Sequence, residues 1–281
     1  TGKTTTLIKE WRFGNLTDFA LEGDLVWISS PQSGLVLYDL KTSEAKLYNG
    51  NTGFDFMSVN TLLSDVEGNI WIGTKSGVIR SLGDHVEYID QFDPYANTSV
   101  LALTVDKDEN LWYSTNEGLF KRRVDESGKV FGEQLLLNTP YQRYTIISLY
   151  TDSSGYVWAG LYGEGVLRIN PEATRIQYLN QELRNGNVLS ITGRGNTVWL
   201  ATLGGGTQIK FSGDQLEMKN YGRQEGLISD YIYQIFIDSQ ERVWFATDGK
   251  GAAMLDGSGL KKKKKGLQTK VVYGFAEDVN H

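Results

Sequence analysis

The sequence predicts an all-β fold, a β-propeller of four-stranded antiparallel blades, seven-bladed in type, with six blades complete and a seventh partial. Three observations predict it. A tryptophan-bearing strand recurs six times, the same strand-and-turn text surrounds each copy, and the two chain ends read as different strands of one further repeat. Trp27, Trp71, Trp112, Trp158, Trp199 and Trp244 lie 44, 41, 46, 41 and 45 residues apart. A mean near 43 is the spacing of a four-stranded propeller repeat.

Each repeat reads strand, turn, strand, turn, strand, turn, strand. Around Trp71 the first strand runs from Val59 to Asp65, the second from Ile70 to Thr74, the third begins after Gly77, and the fourth is Val86 to Ile89. The order returns at Val100, Ile146 and Ile232, while Asn15 to Trp27 and Asn187 to Trp199 share a first turn one residue shorter. Strands buried on both faces should be apolar nearly throughout, as Ile70-Trp71-Ile72 is. The tryptophan is expected to fill the wedge between blades. Small residues follow it, as at Gly73 and Ala159, where a larger side chain would overpack. Glycines at 77, 118, 165 and 251 suit a tight turn into the third strand. Asp65, Asp106, Asp152, Asp238 and Asp278 recur where the first strand ends; an aspartate there accepts backbone N–H bonds of its own turn, so their expected role is structural. Asp106 and Asp108 resemble the start of a calcium loop, but the glycine and distal glutamate such a loop needs do not follow, and no metal is expected.

These signals place a single propeller domain over residues 1–281. Residues 1–13 read as the last strand of a shared blade, 14–53, 54–95, 96–141, 142–183, 184–226 and 227–268 as six blades, and 269–281 as the first strand of an incomplete seventh. Gly266 to Asp278 aligns with Gly226 to Asp238, whereas Leu7 to Phe13 resembles a fourth strand. Sharing a blade between the termini removes an open edge, so the chain reads as a fragment lacking the two middle strands of that blade.

Composition narrows the function classes. The 281 residues carry a net charge of −6, no cysteine and four prolines. A mildly acidic chain gains nothing from counterion release, so nucleic acid is not an expected partner. The run Lys261 to Lys265 reads as a solvated edge strand that blocks edge-to-edge pairing. Without cysteine there is neither a disulfide nor thiol catalysis. No apolar run approaches the length of a membrane span, and the N-terminus lacks a signal peptide, so direct membrane insertion of this segment is not expected.

The text Asp65-Val-Glu-Gly-Asn-Ile-Trp-Ile-Gly-Thr-Lys-Ser-Gly77, with the lead-in Gly226-Leu-Ile-Ser229, resembles the two-component regulator propeller repeat. Other copies depart from it: Leu161 replaces the threonine, and Trp27 is followed by Ile-Ser-Ser. The resemblance implies a bacterial sensor whose propellers lie outside the inner membrane ahead of a transmembrane histidine kinase, many of them sensing oligosaccharides. It therefore implies a periplasmic, non-catalytic ligand-binding domain, with an oligosaccharide or other small ligand, further domains of the same chain and a homodimer as candidate partners, and no cofactor.

Two alternatives stand beside this reading. One is an enzyme of the streptogramin-lyase type, whose repeats look similar and whose catalytic histidine faces the ligand; the other is a docking or dimerisation scaffold. The histidines bear on the first. His85 and His281 fall in turns on the face opposite the loops entering the first strands, where neither is placed to act as a base. No catalytic residue is assigned. A ligand is expected at the rim made by the entering loops and the second-to-third-strand turns. Candidate residues in the entering loops are Phe54, Phe56, Tyr95, Tyr141, Arg143, Tyr144, Arg184, Asn187, Asp230 and Tyr231; Lys75, Glu117, Tyr162, Glu164 and Lys250 occupy the matching turns. Tyrosine rings stack on flat apolar faces such as those of sugars, and Arg and Asn supply directional donors.

Overall fold

In the computed structural model, residues 16–30, 33–49, 58–65, 67–82, 85–88, 98–124, 130–263 and 270–277 are described. They form six four-stranded antiparallel sheets, each a simple meander, and the fold class is the β-propeller. The chain divides into two compact units, with the division in sequence falling between Arg143 and Tyr144.

The first unit holds three blades. They are β1–β4 (Asp18–Glu22, Leu25–Ser30, Gly34–Asp39, Ala45–Tyr48), β5–β8 (Val59–Ser64, Ile70–Thr74, Gly77–Leu82, His85–Tyr88) and β9–β12 (Val100–Val105, Leu111–Thr115, Gly118–Val124, Val130–Leu135). The second unit holds β13–β16 (Ile146–Thr151, Val157–Leu161, Val166–Ile169, Ile176–Leu179), β17–β20 (Val188–Arg194, Thr197–Thr202, Gly205–Ser212, Gln215–Tyr221) and β21–β24 (Ile232–Ile237, Val243–Thr247, Gly251–Asp256, Gly259–Lys263). The Trp-bearing second strands β6, β10 and β14 are buried along their whole length, as their unbroken apolar or small-residue text requires.

Four of the tryptophans are shared between consecutive blades. Trp27 packs with Val59, Leu62 and Ile72 of the next blade, Trp71 with Val100, Leu103 and Phe120, Trp158 with Val188, Leu200 and Phe211, and Trp199 with Ile232, Ile235 and Phe245. The small residues beside them relieve real crowding. A Cβ added at Gly160 would lie 2.8 Å from Val188 Cγ1 of the next blade. The threonine that ends several second strands has a role that size alone does not reveal: the Thr74, Thr202 and Thr247 hydroxyls donate to the carbonyls of Gly77, Gly205 and Gly251, closing the turn.

Burying an indole N–H requires an acceptor. The recurring aspartate supplies it. Trp71, Trp112, Trp158 and Trp244 Nε1 donate to Oδ2 of Asp65, Asp106, Asp152 and Asp238 at 2.7–2.9 Å. The other oxygen, Oδ1, accepts two turn amides; in Asp152 these are Ser154 N at 2.8 Å and Tyr156 N at 3.1 Å. A cation from the blade covers each of these indoles: Arg80, Lys121, Arg168 or Arg242, 4.8–5.5 Å from the ring. Where the turn is shorter the acceptor changes, and Trp27 donates to Glu22 Oε2 at 2.9 Å. Burial raises the Asp65, Asp106 and Asp238 carboxyls, but the hydrogen bonds and cations outweigh it and hold them below the ordinary range.

A second recurring position on the first strand reaches beyond its own blade. Asp18, Ser148 and Gln234 each pair with the residue two beyond the blade's tryptophan. Asp18 Oδ2 accepts Leu62 N of β5 at 2.8 Å and the Thr61 hydroxyl at 3.2 Å, and Ser148 Oγ donates to Val188 O of β17 at 2.8 Å. Gln234 Oε1 accepts Phe275 N at 2.6 Å.

That last bond bears on the partial seventh blade, which the described residues do not contain. Residues 270–277 lie against β21–β23 through Val272 N to Thr247 O, Gly251 N to Lys270 O, and Phe275 packed on Trp244 and Phe236, yet they form no strand. A strand exists by its ladder, and these isolated bonds do not make one. Residues 1–13, 269 and 278–281, Asp278 included, lie outside the described residues. The lysine run behaves as expected: Lys261 and Lys262 are exposed on β24, the outermost strand of its blade, and Lys261 Nζ sits 2.6 Å from Asp256.

Two stability measurements follow from these contacts. Lys121 is 5% exposed with its ammonium 2.8 Å from Asp106, so Asp106→Asn leaves a buried cation unpaired and should cost about 3–5 kcal/mol in urea unfolding. Asp106→Asn with Lys121→Met should recover much of that loss; no recovery would show the pair is not the cause. Burial pushes Asp18 up from 3.8 to about 6 despite its hydrogen bonds. A raised carboxyl stabilises fully below its unfolded value and loses that contribution as pH rises through the folded one. Between those values the unfolding midpoint should fall in the wild type, and Asp18→Asn should remove that component.

Candidate ligand-binding rim

Every blade has an upper end, where a loop enters its first strand and its second strand turns into its third. A bulge lies at or near the start of the first strand in β5, β13, β17 and β21, so that Asn60, Ile147, Leu189 and Tyr233 have no register partner. Bulges re-aim side chains, and all four of these are partly exposed.

In the first unit, Lys75 and Glu117 are exposed in upper turns, with Lys75 N bonded to Ser58 O and Glu117 N to the Thr115 hydroxyl. Tyr141 and Arg143 belong to a short 3-10 turn, Pro140–Arg143. Phe54, Phe56 and Tyr95 lie outside the described residues.

The second unit brings its candidates together. The Gly165 N–H of the blade's upper turn donates to Gly186 O of the next entering loop at 2.8 Å, and a Cβ on Gly186 would lie 2.2 Å from Gly163 O. Arg184 then reaches into the following loop, its Nη1 and Nη2 donating to Glu225 Oε2 and Oε1 at 2.7 and 2.6 Å. Glu225 also accepts Gly222 N at 2.7 Å, and Asp230 Oδ1 accepts Arg223 N at 2.8 Å with the Arg223 Nε 3.7 Å from Oδ2. A Cβ at Gly222 would meet Arg184 Nη1 at 2.5 Å and Asp230 Oδ1 at 2.8 Å, so a larger residue there would displace both side-chain ends. The hydrogen bonds that Arg184 donates hold the Glu225 carboxyl below its ordinary range, and the same bonds hold Arg184 up. Asp248 N bonds Tyr231 O, continuing the series to the last upper turn.

This arrangement divides the predicted residues by role. Arg184, Asp230 and Asn187 fix the loops; Asn187 donates its backbone N–H and its side-chain amide to Asn185 Oδ1. Tyr162 and Tyr231 are 67% and 54% exposed. Glu164 and Lys250 are exposed in the turns. Tyr144 lies tilted against Tyr178 with ring centroids 6.1 Å apart, and the Tyr178 hydroxyl also accepts Asn180 Nδ2 at 3.1 Å. Burial is the first cause that raises the Tyr178 hydroxyl, with Tyr144 and Glu164 adding to it. The residues sequence reasoning missed are Tyr178, Asn180, Glu225 and Tyr273. Tyr273 is 68% exposed and 5.1 Å from Tyr233. The described histidine, His85, pairs with Leu82 at the tip of the β7–β8 hairpin, the lower end of its blade.

The class that fold and rim define is a propeller presenting a loop surface rather than a cleft of reactive groups. Residues 53–76 and 226–249 match the two-component regulator propeller, and the chain carries that repeat. The extracellular domain of a protein named as a hybrid two-component system from B. thetaiotaomicron superposes with a TM-score of 0.80 at 22% identity, over 99% of this chain and 38% of that one. Another from the same organism, named as a one-component system, gives 0.54 at 19% identity over 87% and 40%. This chain thus spans about two fifths of those extracellular domains. Virginiamycin B lyase from Staphylococcus aureus gives 0.68 at 13% identity over 91% of this chain and 86% of the lyase. No curated protein sequence matches. No helix among the described residues is long and apolar enough to cross a membrane.

Acid should loosen the clamped loops. Glu225 has a lowered carboxyl, so its contribution is present above the ordinary carboxylate range and is lost as pH falls through the folded value. Amide exchange over residues 222–231 should therefore accelerate on acidification beyond the intrinsic rate, and Arg184→Ala should produce the same acceleration at neutral pH while costing at most about 1 kcal/mol of global stability. Unaltered protection in the variant would show that the ion pair does not hold the loop.

Proposed function

We propose that this chain is a non-catalytic, periplasmic sensing propeller of a bacterial two-component signalling protein, and that the upper loops from Tyr144 onward receive an oligosaccharide. The observation that carries the reading is the set of solvent-facing tyrosines, Tyr162, Tyr231 and Tyr273, at the upper end of the second unit, where Glu225 and Asp230 accept backbone N–H groups and Glu225 also pairs with Arg184. Tyrosine combines a flat apolar face with a polar tip, the combination that suits a sugar ring. The matched repeats and the likeness to extracellular domains of two-component systems support a sensing role outside the inner membrane.

The likeness to a lyase favours an enzyme as the second reading. In one such structure, with quinupristin, a histidine-to-alanine variant is described as catalytically inactive. Here His85 is at the lower end of its blade, and the recurring carboxylates are each committed to an indole and a turn. That commitment supports binding over turnover.

Calorimetry against a panel of bacterial and plant oligosaccharides tests the proposal. At least one should bind, and Tyr162→Ala and Tyr231→Ala should each weaken it by about tenfold, the loss of one stacking contact. Unchanged affinity in both variants would remove this site. Turnover of quinupristin would overturn the non-catalytic reading.

A further inference from the structure

The upper loops of the second unit carry two arginines, the side chains best suited to grip a carboxylate or sulfate in two places. Arg184 is not presented for that purpose. It spends both terminal nitrogens on Glu225, while the Arg223 side chain is largely exposed with its Nε 3.7 Å from Asp230 Oδ2. An anionic group could reach Arg184 only by displacing a bidentate carboxylate that Gly222 N also holds. The exposed charges of these loops are of both signs, Glu164, Glu182 and Asp248 as well as Lys250 and Lys270. The loops also offer uncharged groups: the rings of Tyr162, Tyr231 and Tyr273, the bulge residues Leu189 and Tyr233, and the side-chain amide of Asn180.

We infer that the ligand of this rim is a neutral oligosaccharide, and that Glu225 keeps uronate-bearing and sulfated glycans from Arg184 by occupying its guanidinium. This rests on the proposed function and specifies its ligand class. The physical basis is selection by cost: a site discriminates as strongly by what a wrong ligand must break as by what the right one gains.

The experiment compares three immobilised sets, neutral hexosaccharides, oligogalacturonates and heparin-derived oligosaccharides, by surface plasmon resonance at low and high salt. Neutral members should bind with an affinity independent of salt, because stacking and amide contacts are not screened. Glu225→Gln, which releases Arg184, should raise the ratio of oligogalacturonate to neutral affinity by about tenfold, equivalent to one new charged contact. Tighter wild-type binding of either charged set, or a marked weakening by salt, would overturn this inference and leave the sensing role intact. Binding of none of the three sets would overturn both. A Glu225→Gln protein that folds, as judged by its unfolding midpoint, yet keeps the wild-type ratio would show that the clamp does not set specificity.

Discussion

The structure depends on one hydrogen bond, from a buried indole N–H to the aspartate that ends the preceding strand. A tryptophan can fill the space between two blades only if its single polar atom is satisfied, because an orphaned donor there would cancel much of what burying the ring contributes. The aspartate solves this with the oxygen left over from its turn. The same carboxylate then needs a counter-charge, and the basic residue lying over the indole provides it while stacking on the ring. Turn, core and electrostatics are thus bound into one unit of a few side chains. In the β15 copy, Arg168 extends the unit further, its guanidinium 4.0 Å from the Tyr156 ring and its Nη1 2.8 Å from Gly213 O in the next blade.

Much of this was legible in the sequence because it is local. Asp152 and Trp158 are six residues apart, and every part of the motif repeats with the blade, so periodicity alone identified the second strand, its turn and the structural purpose of the carboxylate. The bulge that opens the first strands left no trace, since it depends on how an entering loop meets the strand beside it and changes no residue type. The seventh-blade expectation failed for a related reason. Gly266 to Asp278 has the text of a first strand, but text sets a propensity and a partner strand sets the structure.

The rim was legible as a location and poorly as a chemistry. Loops at the ends of rigid strands are natural places for recognition, and Tyr162 and Tyr231 stand exposed there. Arg184, expected to supply a directional donor, gives both terminal nitrogens to Glu225. That partner is 41 residues distant, so nothing local announces the pair. Tyr178 was passed over because it sits on an outer strand, where alternation predicts only solvent exposure.

The polar position shared by Asp18, Ser148 and Gln234 has a different kind of consequence. Aspartate accepts an amide of the next blade and serine donates to a carbonyl of the next blade, so the same joint between neighbouring repeats is made with either polarity, and glutamine at that position accepts an amide of the segment 270–277. A joint tolerant of its own parts lets repeats diverge, be copied or be exchanged without redesign of the whole, and damage to one stays between its two neighbours, as expected of quasi-one-dimensional arrays. Evolution of such a chain can proceed by the repeat, leaving the loops free to change at a pace of their own.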